Sequence, residues 1–169
     1  MQSTVVSSWN DFDPLKHAIV GRADFTCIPP SEPATEAKVP EDSDMRGMWG
    51  PRPLATVERA NAQLDNLVNL LESRGVRVDR PEPIQWNQAV NTPDFTTGSM
   101  FGCMPPRDVL LTVGKEILSA PMSFRCRYWE FLAYHNLMQR YFDEDPGFRW
   151  EQAPRPRLAD ESYQAGYFD

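Results

Sequence analysis

Only two histidines, His17 and His135, and three cysteines, Cys27, Cys103 and Cys126, occur in the 169 residues. No CxxC pair is present, and the five residues are too scattered for a recognisable zinc motif. An odd number of cysteines leaves one thiol outside any intramolecular disulfide scheme, so a reducing, cytoplasmic compartment is expected. Neither histidine has the neighbours of a nucleophilic triad, and local bonding or packing is the preferred reading of both. Basic runs are missing as well. Seventeen Lys and Arg stand against 24 Asp and Glu, a formal charge of −7. The nearest approach to a basic patch is Arg155 and Arg157 in PRPR, with acidic residues close behind. That argues against a nucleic-acid partner. No apolar run reaches the roughly 18 residues of a membrane span, and no stretch reads as a signal peptide.

What is present is enough apolar residue, 41%, for one core, and 16 prolines that call for many turns or long ordered loops. Asp13-Pro14 opens a turn, and Leu15 to Val20 reads as the first strand, ended by Gly21. Residues 25–53 hold Pro29, Pro30, Pro33, Pro40, Pro51 and Pro53 and show no periodic pattern. A structureless run of roughly 30 residues is long for a compact domain. It is expected to be a functional surface loop or to order over a neighbouring element, pinned at its end by Met45, Met48 and Trp49. Residues 54–74 then give the clearest helix: Leu54, Val57, Asn61, Leu64, Val68 and Leu71 recur at helical spacing, and Ala60, Leu67 and Leu70 widen the stripe into a core-facing band. Gly75 is expected as a left-handed cap. Residues 76–79 read as a short strand stopped by Pro81 and Pro83, so the helix is a crossover returning the chain to a sheet.

In TPDFTTG, residues 92–98, Asp94 presents a carboxylate among small polar residues. Such a carboxylate can take a guanidinium in paired hydrogen bonds. From spacing alone a plain Asx turn is the favoured reading. Phe101, Cys103 and Met104 read as packing residues. Val109, Leu110, Leu111 and Val113 are expected as a mostly buried strand, Gly114 to Glu116 as a tight turn, and Ile117 and Leu118 as the return strand. Residues 127–142 read as a second helix with Tyr128, Phe131, Leu132, His135, Met138 and Phe142 on one face and Leu137 and Tyr141 beside it. The pattern is α/β, in two comparable modules: residues 1–83, including the long loop, and 84–169, the second incomplete at its end.

Three segments together resemble the arginine:glycine and arginine:inosamine-phosphate amidinotransferases: WNDFDPLKHAIVGRAD at 9–24, TPDFTTG at 92–98, and MPPRDVLLTVGKEILSAPMSFRCRYWEFLAY at 104–134. APRPRLADESY at 153–163 extends the match. The resemblance covers nearly the whole chain, but only the amino-terminal part of the family domain. Within the family it looks nearest to cyanobacterial toxin-pathway enzymes that make guanidinoacetate. It implies a pseudo-fivefold α/β propeller of pentein-like ββαβ modules. It also implies a reaction in which a cysteine thiolate takes the amidino group of L-arginine and passes it to an amine, with glycine as the acceptor. A histidine serves as acid and base. No metal or organic cofactor is implied, and a homodimer of the complete enzyme is compatible with the family.

The resemblance assigns Asp94 to the substrate guanidino group. Thr96 and Thr97 stand where an acidic residue ordinarily follows, and one proline is added before Arg107. Arg107, Asp108, Arg125, Arg127 and Glu130 match motif positions and are expected to form structural ion pairs, with Arg107 tying two strands or a loop. The family's nucleophilic cysteine, its histidine and that histidine's aspartate partner fall beyond residue 169. None of Cys27, Cys103, Cys126, His17 or His135 fills those roles. Two further readings remain open: a truncated, non-catalytic interaction module, or a transferase acting on an aminocyclitol, another amine or water.

Overall fold

A parallel strand pair built around one long helix begins the chain. The computed structural model describes residues 4–36, 39–44 and 46–163. Strand β1 (His17–Ile19) is followed by β2 (Cys27–Ile28), a one-turn helix α1 (Pro33–Glu36) and β3 (Gly50–Pro51), which pairs antiparallel with β2. Helix α2 (Leu54–Glu72) then returns the chain to β4 (Arg77–Asp79), parallel to β1 with Ala18 opposite Val78. The expected crossover is therefore present. The loop of residues 25–53 is less irregular than its composition suggests, since β2, α1 and β3 lie within it. Met45 falls outside the described residues.

Helix α2 ends in a Schellman motif. The Val76 N–H reaches the Leu71 carbonyl at 3.1 Å and the Gly75 N–H reaches Glu72 at 2.9 Å, with Gly75 at φ 80°. That left-handed backbone is the one glycine adopts without steric cost. The helix stripe is narrower than the core-facing band expected from its sequence. Val57, Ala60, Asn61, Leu64, Val68 and Leu71 are half-buried, whereas Leu54, Leu67 and Leu70 are exposed. Only one side of α2 meets this chain.

The second half forms β5 (Val90–Asn91) and β6 (Thr96–Thr97), a small antiparallel hairpin, then one-turn helix α3 (Pro106–Val109). β7 (Leu110–Val113) and β8 (Glu116–Ser119) pair antiparallel across a Gly114-Lys115 turn. Helix α4 (His135–Glu144) leads to β9 (Arg149–Gln152), which lies parallel to β8 with Ile117 opposite Trp150. This β7-β8-α4-β9 order is a ββαβ unit. Its last strand has no clean alternation in RWEQ and was not apparent from the sequence.

Two expectations need correcting. β7 is not mostly buried: Leu111 and Val113 are 52% and 60% exposed, because only Val109 and Leu110 reach the core. The expected helix over 127–142 begins eight residues later. Residues 125–127 and 130–134 form 3₁₀ turns instead, which aim Arg125, Arg127 and Glu130 inward. The shift also rotates the buried face. Tyr134, Leu137, Met138 and Tyr141 are buried, while Leu132, His135 and Phe142 are exposed.

The core joins these residues to Trp86, Met100, Cys103, Ile117 and Phe148. Full burial of a side chain the size of Leu137 is worth roughly 1.5–3 kcal/mol. The core is joined to β1 and β4 by a polar cluster. Asp79 Oδ2 lies 2.7 Å from His17 Nε2 and accepts the Tyr141 hydroxyl at 2.9 Å. Arg140 reaches Asp79 Oδ1 at 3.1 Å, and Arg77 forks onto Glu144 at 2.6 and 3.0 Å.

Burial alone would raise the Asp79 carboxyl, but the bonds from His17 and Tyr141 and the charge of Arg77 outweigh it and lower it from 3.8. A carboxylate with a depressed folded-state value adds stability above its ordinary value and loses it as pH falls through the lower one. Denaturant midpoints should therefore drop as the pH is taken below 3.8. Asp79→Asn should be less stable at neutral pH and show a shallower acid dependence; an unchanged slope would remove Asp79 from this role.

Candidate functional site

The β5–β6 hairpin carries Asp94 at its tip. The turn is not an Asx turn on Asp94. Thr92 Oγ1 instead accepts the backbone N–H groups of Asp94 and Phe95, at 3.2 and 2.9 Å, which leaves the Asp94 side chain free to point away from its own backbone. Its carboxylate, 21% exposed, receives a guanidinium from within the chain. Arg157 donates Nε at 2.8 Å and Nη2 to the same oxygen, Oδ1.

Behind the hairpin sits Arg125. Its guanidinium stacks 5.3 Å from the Phe95 ring centre and 4.3 Å from that of Tyr163. Nε and Nη2 both donate to the Leu158 carbonyl, at 3.0 and 2.6 Å, and Nη2 also reaches Asp160 Oδ1 at 2.7 Å. Leu158 is held at φ 53°, a left-handed conformation that is uncommon away from glycine. Phe95 further meets Tyr128 edge-on at 5.4 Å. Arg155 caps the aromatic run, 3.6 Å above Phe131 and 5.3 and 5.7 Å from Tyr128 and Trp129. Residues 155 and 158 are thus fixed on either side of Arg157, which places that side chain over Asp94.

The long loop closes over the same region. A methyl group at Gly98 would lie 3.3 Å from the Trp49 ring, so a side chain there would require the ring to give by a few tenths of an ångström. Burial pushes the Glu32 carboxyl up, against hydrogen bonds to Cys126 and Tyr163 and the charge on Arg125. Between the loop and Phe101 lies a cavity of 180 Å³ lined by Ile28, Glu36, Arg46 and Arg52 among others.

The other ion-pair candidates divide. Arg127 forks onto Glu130 at 2.9 and 2.8 Å and also reaches Asp108 at 3.0 Å. The Glu130 side chain is fully buried, and burial pushes its carboxyl up to about 7 against the pull of Arg127. Arg107 does not tie two strands. Its side chain is 93% exposed and comes no nearer than 3.9 Å to Asp108, because one-turn α3 turns it to solvent.

The thiols are poorly suited to nucleophilic attack. Cys27, Cys103 and Cys126 are free and buried, and burial raises all three, Cys103 to about 12. His17 lies in the Asp79 cluster, and His135 is exposed with its ring 5.6 Å from Trp150. Among the described residues no group of three or more His, Cys, Asp or Glu could hold a metal ion, and no helix is long and apolar enough to cross a membrane. Arg157 and Glu32 were missed as site residues from the sequence. PRPR pointed to Arg157 as a cation, but nothing local placed it opposite a carboxylate 63 residues away.

The mixed α/β fold matches solved amidinotransferases over part of their chains. The structure of SxtG, an amidinotransferase of the saxitoxin biosynthetic pathway from Microseira wollei, superposes with a TM-score of 0.83 at 34% identity, over 95% of this chain and 45% of that one. Inosamine-phosphate amidinotransferase StrB1 from Streptomyces griseus gives 0.84 at 36% identity, over 95% and 46%. In sequence, the mitochondrial glycine amidinotransferase of Gallus gallus is 39% identical over 170 residues, 96% of this chain and 38% of its own length. The L-arginine:L-lysine amidinotransferase of Pseudomonas savastanoi pv. phaseolicola is 37% identical over 172 residues, 100% of this chain and 47% of its own. No protein-family model matches. The chain belongs to the amidinotransferase family. It spans less than half the length of these relatives.

Removing Arg127 leaves the Glu130 carboxyl buried without its cation, so that it must take up a proton or stay charged in the core, and the loss should be severe. Arg127→Ala should lose about 3–5 kcal/mol in urea denaturation. Adding Glu130→Gln to it should restore part of that loss; a double variant as unstable as Arg127→Ala would show that the buried carboxylate is not the cause.

Proposed function

We propose that residues 1–169 are the amino-terminal modules of an enzyme that transfers the amidino group of L-arginine to glycine, giving guanidinoacetate and L-ornithine. The carrying observation is Asp94: a part-buried carboxylate on a braced hairpin, already engaging a guanidinium, in a chain 39% identical to a glycine amidinotransferase. Residues 1–83 and 84–169 are read as the first two modules of a pseudo-fivefold ring; the parallel β1–β4 unit and the ββαβ unit support that division. Asp94 holds the substrate guanidinium by charge-assisted bonds and orients its central carbon. A cysteine thiolate from a later module attacks that carbon, and ornithine leaves with a proton supplied by a histidine. The acceptor amine then displaces the thiolate. The raised, buried thiols here support placing the nucleophile elsewhere. A reducing cytoplasm suits three unpaired cysteines.

A second reading keeps the donor and changes the acceptor. The Pseudomonas relative is named for L-lysine and the Streptomyces structure for an inosamine phosphate, at identities close to that of the glycine enzyme. The complete gene product should be assayed with L-arginine and, in competition, glycine, L-lysine, an inosamine phosphate and water. Guanidinoacetate as the main product is expected; another amidino product would change the acceptor, and no ornithine at all would favour a non-catalytic module. Asp94→Asn should lower kcat/KM for L-arginine at least about thirtyfold, the usual scale for removing one partner of a buried charge pair. An unchanged value would remove Asp94 from the site.

A further inference from the structure

We infer that Arg157 is a specificity-determining residue that occupies the guanidine subsite on Asp94 until a substrate guanidinium displaces it. This rests on the reading of Asp94 as that subsite. Three observations carry it. The group on Asp94 has the same chemistry as the proposed substrate's head: Nε and Nη2 of a guanidinium approach one carboxylate oxygen side-on. Both bonds fall on Oδ1, so among the described residues Oδ2 keeps its capacity for another donor. Finally, the residues flanking Arg157 are held by packing, while its own side chain stands largely in water and is held by its bonds to Asp94. Arg155 is stacked on Phe131 and Leu158 is held by Arg125, yet the Arg157 side chain is 79% exposed.

An ion pair with one partner this exposed is weak and competes with water and salt. Such a contact can hold the Asp94 side chain aimed without blocking it. A ligand with only one point charge, such as a lysine ammonium, matches the vacated geometry less well than a planar fork. The exchange therefore favours guanidines over amines at this carboxylate. No bond is made or broken; one guanidinium replaces another.

In the complete gene product, Arg157→Gln should raise kcat/KM for L-arginine about two- to fivefold through a lower KM, the scale of an exposed pair. Arg157→Lys should fall between Gln and the native protein. Adding Arg157→Gln to Asp94→Asn should change nothing further. A KM that is unchanged or higher in Arg157→Gln, with Asp94→Asn strongly impaired, overturns the gate and leaves Asp94 in place. An unimpaired Asp94→Asn overturns both. A readout independent of turnover uses the 169-residue chain itself. Its Arg157 Nε–H NMR signal should move towards the position seen in Asp94→Asn as methylguanidinium is added, and should respond less to methylammonium. A signal already at the Asp94→Asn position without ligand, or one unmoved by methylguanidinium, contradicts the proposal.

Discussion

The buried guanidinium of Arg125 is the contact on which the candidate site depends. It touches a hairpin through Phe95, a strained carbonyl at Leu158, a carboxylate at Asp160 and a ring at Tyr163. It thereby links the segment that carries Asp94 to the segment that carries Arg157, and Tyr128 makes a second link through Phe95 and Arg155. Planarity matters here. The two donors directed at one carbonyl and the faces pressed on two rings need a flat, delocalised cation, and an ammonium could not satisfy both. A cation taken this far from water is tolerated because Nε and Nη2 are bonded and two aromatic rings lie against it.

The rest of the chain repeats that chemistry with other partners. Arg127 serves Glu130 and Asp108, Arg77 serves Glu144 and Asp79, and Arg155 serves three aromatic rings. These contacts join parts of the chain that the short strands alone would hold poorly. Among the described residues β1–β4, β2–β3 and β5–β6 are each two strands wide, and the largest sheet has three. Small sheets bury little and depend on what covers them. α2 leaves Leu67 and Leu70 in solvent, and β7 leaves Leu111 and Val113 there. A chain that spans less than half of its relatives' length has less of its own substance with which to cover such faces.

Local pattern was legible and distant pairing was not. The helix at Leu54–Glu72, its Gly75 cap and the crossover to β4 follow from spacing and turn chemistry within a few residues. The β7–β8 hairpin follows from apolar runs around Gly114-Lys115. β9 was hidden because Arg149-Trp150-Glu151-Gln152 carries polar residues on both faces of an edge strand. The α4 face was misread because the aromatic residues at 128, 129, 131 and 134, with Leu132 among them, fit two helical phases, and the inward Arg125, Arg127 and Glu130 accompany 3₁₀ turns first. At Asp94 the sequence offered both a turn and a guanidine contact. What decides the orientation is Thr92, which takes over the turn bonds, and Arg157, whose nearness depends on Arg125 and Arg155.

A structure of the complete gene product with L-arginine bound, before turnover, tests the central claim most directly. The expected result is the substrate guanidinium within hydrogen-bond distance of the Asp94 carboxylate, with the Arg157 side chain swung away from Oδ1. L-arginine bound elsewhere, with Arg157 still on Asp94, would contradict it and make the pair part of the scaffold.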